Sequence, residues 1–359
     1  MPCEPCYTAG MGLTRRRLLA AGSVALAAPA VARAGRGETA PVILKLHHAR
    51  SSTSCVHADF LVPWARKIEA QSGGRIRIDI FPAMLLGGRP AQLFDQARDG
   101  FADIVWAMPS QTPGRFPIIE MFELPFVPAR RALVSSKALA DFAGAFLQQE
   151  FRDVHPLSFS CADRGILHAH AAVDAVADVK NLRLAVRTRF AGAAVAALGG
   201  HAVPMPSAQL PLAITRRVVD GGIIPWDMVP ALKLGTLLKA HTDFAGQALS
   251  TTTAVLAMNR TAYQSLPADL KKVIDENSGQ AAASMAGTMW DLAAEKAAAT
   301  AKQRADAIVT LPAEAVTRWR KATEPVIDAW RKHMQARNVD AEKLLARAHT
   351  LLAKYAAVP

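Results

Sequence analysis

The sequence predicts a two-lobed α/β protein, and three observations carry that expectation. Strand-like and helix-like patterns alternate over residues 42–108, the alternation restarts over 157–224, and the chain then turns helical, with an Ala-rich stretch over 280–307. Alternating strands and helices are the mark of a parallel α/β layer. Two such layers imply two lobes. A helix of 28 residues runs to roughly 42 Å at 1.5 Å per residue, which exceeds what one lobe needs, so it is expected to brace both.

In the first layer, residues 42–47 read as a strand, and residues 75–81 alternate with period two as a second. Between them Phe60, Trp64 and Ile68 recur every four residues as one stripe of an amphipathic helix, which Gly73-Gly74 stops. Residues 90–99 form the next helix, closed by Gly100 ahead of a strand over 102–108. In the second layer, 157–160 and 182–186 are strand-like, 191–198 is helical and ends at Gly199-Gly200, and 201–204 is a short strand. A helix over 210–216 then precedes a strand over 218–224, with a turn at Gly221-Gly222. Residues 267–276, 314–337 and 341–356 complete the helical section. Lobe I is thus expected at 41–160 plus about 247–290, and lobe II at 161–246 plus about 291–359.

The 359 residues are 51% apolar and 20% charged, enough for a packed core of about two domains and too apolar for a disordered chain. Beyond the first ~35 residues no apolar run reaches the roughly 18 residues of a spanning helix, which excludes a membrane channel. Residues 14–19, Thr-Arg-Arg-Arg-Leu-Leu, precede an uncharged apolar stretch to Val31 and then Ala32-Arg33-Ala34. Together they read as an export signal over residues 1–34, destined for the periplasm. Its paired arginines resemble a twin-arginine (Tat-type) leader; the alternative is a Sec leader with an extra arginine. Met11 could serve as the start. Removing 1–34 takes away four arginines and one glutamate, so the formal charge of +12 becomes +9. The basic residues are dispersed among acidic ones, which argues against a nucleic-acid partner. Cys3 and Cys6 leave with the signal, while Cys55 and Cys161 remain, either as a disulfide or as two small buried thiols.

Catalytic signatures are missing: there is no G-x-S-x-G, H-E-x-x-H, P-loop or G-x-G-x-x-G after a strand. His168 and His170, with Cys161 and Asp163 nearby, could suit a metal, and an exported metal-dependent enzyme is one alternative. Without a clear third ligand the structural reading prevails. Neither a catalytic residue nor a cofactor or metal site is expected, and function falls to the interlobe cleft.

From His57 onward an ordered set of motifs becomes specific. These are Phe60-x-x-x-Trp64-Ala65-x-Lys67-Ile68, Ser72-Gly73-Gly74-Arg75-Ile76, Gln96-x-x-x-Gly100-x-Ala102-Asp103-Ile104 and Glu123-Leu124-Pro125-Phe126. They continue in Ala197-Leu198-Gly199-Gly200, Pro204-Met205-Pro206, Val218-Val219-Asp220-Gly221 and the run from Asn259-Arg260 to Lys271-Lys272. The set resembles the extracytoplasmic solute receptors of TRAP transporters, the DctP family, over nearly all of residues 42–300. The resemblance implies a type II-like periplasmic binding protein with an interlobe cleft, which closes on an organic acid and docks on a small and a large permease subunit in the membrane. A binding protein for an ABC importer is the competing receptor class.

The family anchors its ligand carboxylate with an arginine at the end of a strand, because a guanidinium pairs both oxygens and stays charged. An ungapped match puts Ala185 there, so the resemblance transfers the role to Arg187 or Arg189, with Arg189 ahead. A second familial arginine points to Arg164. Where relatives carry a polar amide this chain has Ile224, and Met108 stands where sialic-acid receptors use a carboxylate. Trp106, Met108, Ile224 and Trp226 are expected to give a greasy pocket, with His48 and Gln111 as its polar rim. Such a lining favours a monocarboxylate with an apolar or aromatic body over a sugar acid, whose hydroxyls would each go unpaired at about 1–3 kcal/mol.

Overall fold

The computed structural model describes residues 40–357; the expected export signal lies outside them. Eleven strands are found among the described residues: β1 (Val42–His48), β2 (Ile76–Phe81), β3 (Ile104–Ala107), β4 (His155–Cys161), β5 (Gly165–Ala169), β6 (Arg183–Val186), β7 (His201–Pro204), β8 (Gly221–Pro225), β9 (Ala240–Asp243), β10 (Thr253–Met258) and β11 (Ala307–Thr310). They form two sheets, in the orders β2-β1-β3-β10-β4 and β11-β9-β5-β8-β6-β7. In the first, β1 runs parallel to β2 and β3 while β10 is antiparallel to β3 and β4. In the second, β5 is antiparallel to β8 and β9, and β6 is parallel to β7 and β8.

The helices are α1 (Val62–Gln71), α2 (Leu93–Arg98), α3 (Ala132–Phe146), α4 (Arg189–Ala197), α5 (Leu210–Thr215), α6 (Met228–Ala231), α7 (Arg260–Ser265), α8 (Ala268–Glu276), α9 (Gln280–Gln303), α10 (Ala313–Gln335) and α11 (Ala341–Ala356). The stripe expected before Gly73 is real. Phe60 lies in a π-helical turn, Val56–Leu61, that leads into α1, and Phe60, Trp64 and Ile68 are all buried. The Trp64 indole N–H donates to the Asn277 carbonyl at 2.8 Å, so this large side chain is buried without an orphaned donor.

The sheets are joined where the chain passes from β4 to β5 and returns from β9 to β10. The two passing segments are hydrogen-bonded to each other, Ala162 N–H to the Thr252 carbonyl at 2.8 Å and Gly165 N–H to the Ser250 carbonyl at 2.7 Å. The expected brace is α9. Ala282, Ala286, Met289 and Trp290 pack into the core of the first lobe, and Ala294, Ala297 and Ala301 into that of the second. Small side chains let it approach closely. At Gly287 an added Cβ would lie 2.4 Å from the Leu133 Cα. One turn on, the Asp291 carboxylate accepts from the N–H groups of Ala132 (2.6 Å) and Leu133 (3.3 Å), so α9 caps the start of α3.

Several expectations change. The long helix stops at Gln303, because Ala305 turns left-handed (φ 56°) and residues from Ala307 pair with β9. Gly221-Gly222 is no turn but lies inside β8, where a Cβ on Gly221 would meet the His168 carbonyl oxygen at 2.1 Å. The stretch 291–359 does not stay with lobe II. The end of α10 (Trp330, Met334) and α11 (Leu344, Leu351) share a core with α3 in the first lobe. Cys55 and Cys161 are free thiols.

Candidate functional site

The second lobe's β6 buries Leu184, Ala185 and Val186, and the chain leaves the sheet at Arg187. Thr188 then caps α4, its hydroxyl accepting from the Ala191 N–H at 3.1 Å. Arg187 is therefore fixed between a strand's carboxyl end and a helix's amino end, the place where open α/β sheets hold anions. Its Nη1 lies 3.0 Å from the Met228 sulfur of the second lobe and its Nη2 3.9 Å from the Met108 sulfur of the first. Thioether sulfur is a weak acceptor, and among the described residues no carboxylate forms an ion pair with this guanidinium. Burial, then the neighbouring Arg50, lowers the Arg187 pKa to about 10, against the pull of Asp227 and Glu123. The group remains cationic at neutral pH.

Two further charges stand beside it. Arg50, two residues past β1, brings its Nη2 to 3.7 Å from the Asp227 Oδ2, and the Cys55 Sγ lies 4.0 Å from that same oxygen. Asp227 directly precedes α6. Burial raises its carboxyl above the usual carboxylate range, against the pull of Arg50 and Arg187. A small cavity of about 10 Å³ lies beside the paired segments that join the sheets, lined by Arg187, Thr188, Ile223, Pro225, Ser250 and Thr251.

Glu123 completes the neighbourhood from the first lobe. Its Oε1 accepts from both the backbone N–H and the hydroxyl of Thr253, each at 2.8 Å, and burial raises its pKa to about 8. The unfolded chain gives up this proton first, near pH 4.5, so its contribution to stability is full below that pH and is lost as pH rises through about 8. Glu123→Gln keeps the acceptor and removes the ionisation. Thermal melts should therefore show the variant gaining on the natural protein between pH 5 and pH 8, by up to about 1.4 kcal/mol per pH unit. A difference that stays constant with pH would contradict this.

Of the residues singled out in the sequence, the structure brings Arg187 and Met108 together, with His48 two residues from Arg50. His48 is buried, bonded through Nε2 to His57 Nδ1 at 3.0 Å, and its pKa is lowered to about 3 by burial and by that neighbour. Gln111 is half-buried at the end of the turn that follows Met108. Others are corrected. The Arg189 Nε is 3.0 Å from the buried Glu120 carboxylate, so its charge is already spent. Arg164 pairs with Asp243 at 2.9 and 3.3 Å, in a separate cavity bordered by α9. Trp106 is core of the first lobe. Trp226 packs on His168 and His241, with ring centroids 4.9 and 4.7 Å away. Ile224 is core of the second lobe, as is Ile223, which also borders the cavity.

The metal alternative finds no support. His168 Nδ1 is 2.7 Å from His241 Nδ1, while His170 lies past the end of β5 and Cys161 is core of the other lobe. Among the described residues no three metal-ligating side chains gather. Sequence reasoning missed Arg50, Asp227 and Met228. The position of Arg50 just beyond the carboxyl end of β1 was the available signal.

The sequence profile of the bacterial extracellular solute-binding proteins, family 7 (DctP), matches residues 46–333. A TRAP solute-binding protein from Rhodoferax ferrireducens, in complex with copurified benzoate, is 36% identical with a TM-score of 0.83, covering 88% of this chain and 99% of that one. A marine metagenome TRAP solute-binding protein specific for aromatic acid ligands, with 3-hydroxybenzoate, is also 36% identical, with a TM-score of 0.84 over the same shares. A Bordetella bronchiseptica TRAP periplasmic solute-binding protein holding mandelate is 26% identical, with a TM-score of 0.80, over 88% of this chain and 99% of its own. The uncharacterised protein y4mM of Sinorhizobium fredii is 28% identical over 94% of this chain, which spans 63% of y4mM. With the two-lobed fold, the arginine at the end of β6 and a profile match over most of its length, the chain belongs to the bacterial extracellular solute-binding proteins of family 7, the DctP family.

Proposed function

We propose that the protein is the periplasmic receptor of a TRAP importer and binds an aromatic monocarboxylate between its lobes, without catalysis. One observation carries this reading: the Arg187 guanidinium is desolvated between the lobes, and its hydrogen-bond partners among the described residues are two thioether sulfurs. A half-buried cation with no carboxylate partner among the described residues is costly, and a ligand carboxylate relieves that cost with paired charge-assisted hydrogen bonds. The charge count supports one carboxylate rather than two. Arg50 faces Asp227 and Glu123 is neutral below about pH 8, so among the described residues Arg187 is left as the cation without a carboxylate at ion-pair distance. Met108, Met228 and Ile223 supply the apolar body contact, and sulfur packs well against aromatic rings. The two relatives at 36% identity hold benzoate and 3-hydroxybenzoate, in keeping with this chemistry. Family membership implies the small and large membrane subunits as partners. Hinge closure would let the ligand select the state in which both lobes touch it.

Calorimetric titration with benzoate, mandelate, succinate and sialic acid tests the proposal. Benzoate or mandelate should bind, and succinate and sialic acid should not. A preference for either of the latter two would overturn it.

A further inference from the structure

Asp227 is the odd member of a greasy anion site. Its carboxylate is buried, with the side chain 4% exposed. Oδ2 is engaged by Arg50 and approached by the Cys55 thiol, whereas Oδ1 is shielded from solvent and has no hydrogen-bond partner among the described residues. The N–H groups of Asp227 and Met228 lie close enough to favour the charged form, yet neither reaches Oδ1 in bonding geometry. Natural proteins rarely leave a buried acceptor of this kind unmet, because the full desolvation cost then stands uncompensated. The next residue, Met228, touches the guanidinium of Arg187. The orphaned oxygen therefore sits at the carboxylate anchor, on the boundary between the two lobes.

We propose that Asp227 sets specificity within the aromatic acids by accepting a hydrogen bond from a hydroxyl on the ligand, with Arg50 holding the carboxylate in place. The inference rests on the aromatic-monocarboxylate reading above. An ionised carboxylate is a strong acceptor, and a hydrogen bond to a charged group is worth enough for roughly a 10-fold gain in affinity. It also rejects the alternative occupant of the same spot: a second carboxylate on the ligand would face Asp227 as a like charge. Arg50 has two functions here, since it orients Asp227 and keeps the pair neutral, leaving Arg187 as the free cation.

The test compares matched ligands on the natural protein and on Asp227→Ala. Benzoate, its three hydroxy isomers and their methyl ethers, together with phenylacetate and mandelate, are titrated by calorimetry. At least one hydroxylated acid should bind about 10-fold more tightly than its parent, and its methyl ether, which lacks the donor, should lose that gain. In Asp227→Ala the ratio of hydroxylated acid to parent should fall to about 1, whatever the change in affinity for the parent itself. A natural protein that does not distinguish hydroxylated acids from their parents overturns the inference, and so does a ratio that survives the substitution. The ether comparison needs no variant, so it decides the matter even if Asp227→Ala fails to fold. Failure of every acid to bind overturns the monocarboxylate reading itself, a different result from binding without discrimination.

Discussion

Replacing Arg187 with alanine is expected to weaken benzoate binding by roughly 30-fold to several thousand-fold, the range spanned by truncating one partner of a buried, hydrogen-bonded charge pair. The ligand-free protein should melt at an unchanged or higher temperature. In that state the guanidinium has no carboxylate partner among the described residues and is lowered in pKa by burial, so the folded protein loses a cost rather than a bond. Arg189→Ala should behave in the opposite way. It leaves the Glu120 carboxylate, 1% exposed, without its guanidinium, although the outer face of Arg189 is 36% exposed and screened by solvent. After that discount the loss is about 1–2 kcal/mol, a drop of about 2–3 °C in melting temperature, with benzoate affinity nearly unchanged. Calorimetry of both variants, scanning and titrating, checks the pair. If Arg189→Ala abolishes binding and Arg187→Ala does not, the anchor assignment is reversed.

Gly287→Ala should destabilise the protein by about 2–4 kcal/mol, even though alanine is the better helix former by about 1 kcal/mol. The sign is decided by geometry. The new Cβ would stand 2.4 Å from the Leu133 Cα and 2.9 Å from its N, and both are backbone atoms at the start of a helix that cannot swing aside like a side chain. Pushing α9 outward also lengthens the Asp291 bonds to the Ala132 and Leu133 N–H groups, so the cap on α3 weakens with the packing. Denaturant unfolding of the variant measures this. A gain in stability would show that the helix contact is looser than the distances require.

The alternating layers and the brace were legible because their apolar periods are local. Two of the strands at the crossings were not. Every residue of β5 and of β10 is buried, which removes the inside–outside alternation that marks a strand, and α3 is buried on so many sides that it shows no sharp stripe. At the site, chain position identified the neighbourhood of Arg187 but could not choose between two arginines two residues apart. The choice depends on Glu120, 69 residues away, which occupies Arg189. Trp106 and Trp226 were misplaced for a related reason, since a large aromatic fits a pocket wall and a core equally well until its neighbours are known. Arg50 and Asp227 meet only because two lobes come together, and no local pattern records such a meeting.

The way α9 is shared has a mechanical consequence. A single rod gripped at one end by Ala282, Ala286 and Trp290 and at the other by Ala294, Ala297 and Ala301 cannot slide or unscrew without tearing one grip open. The relative travel of the halves is thereby narrowed to a flexing about the paired segments near Ala162 and Ser250, so the jaws should meet in the same alignment on every cycle.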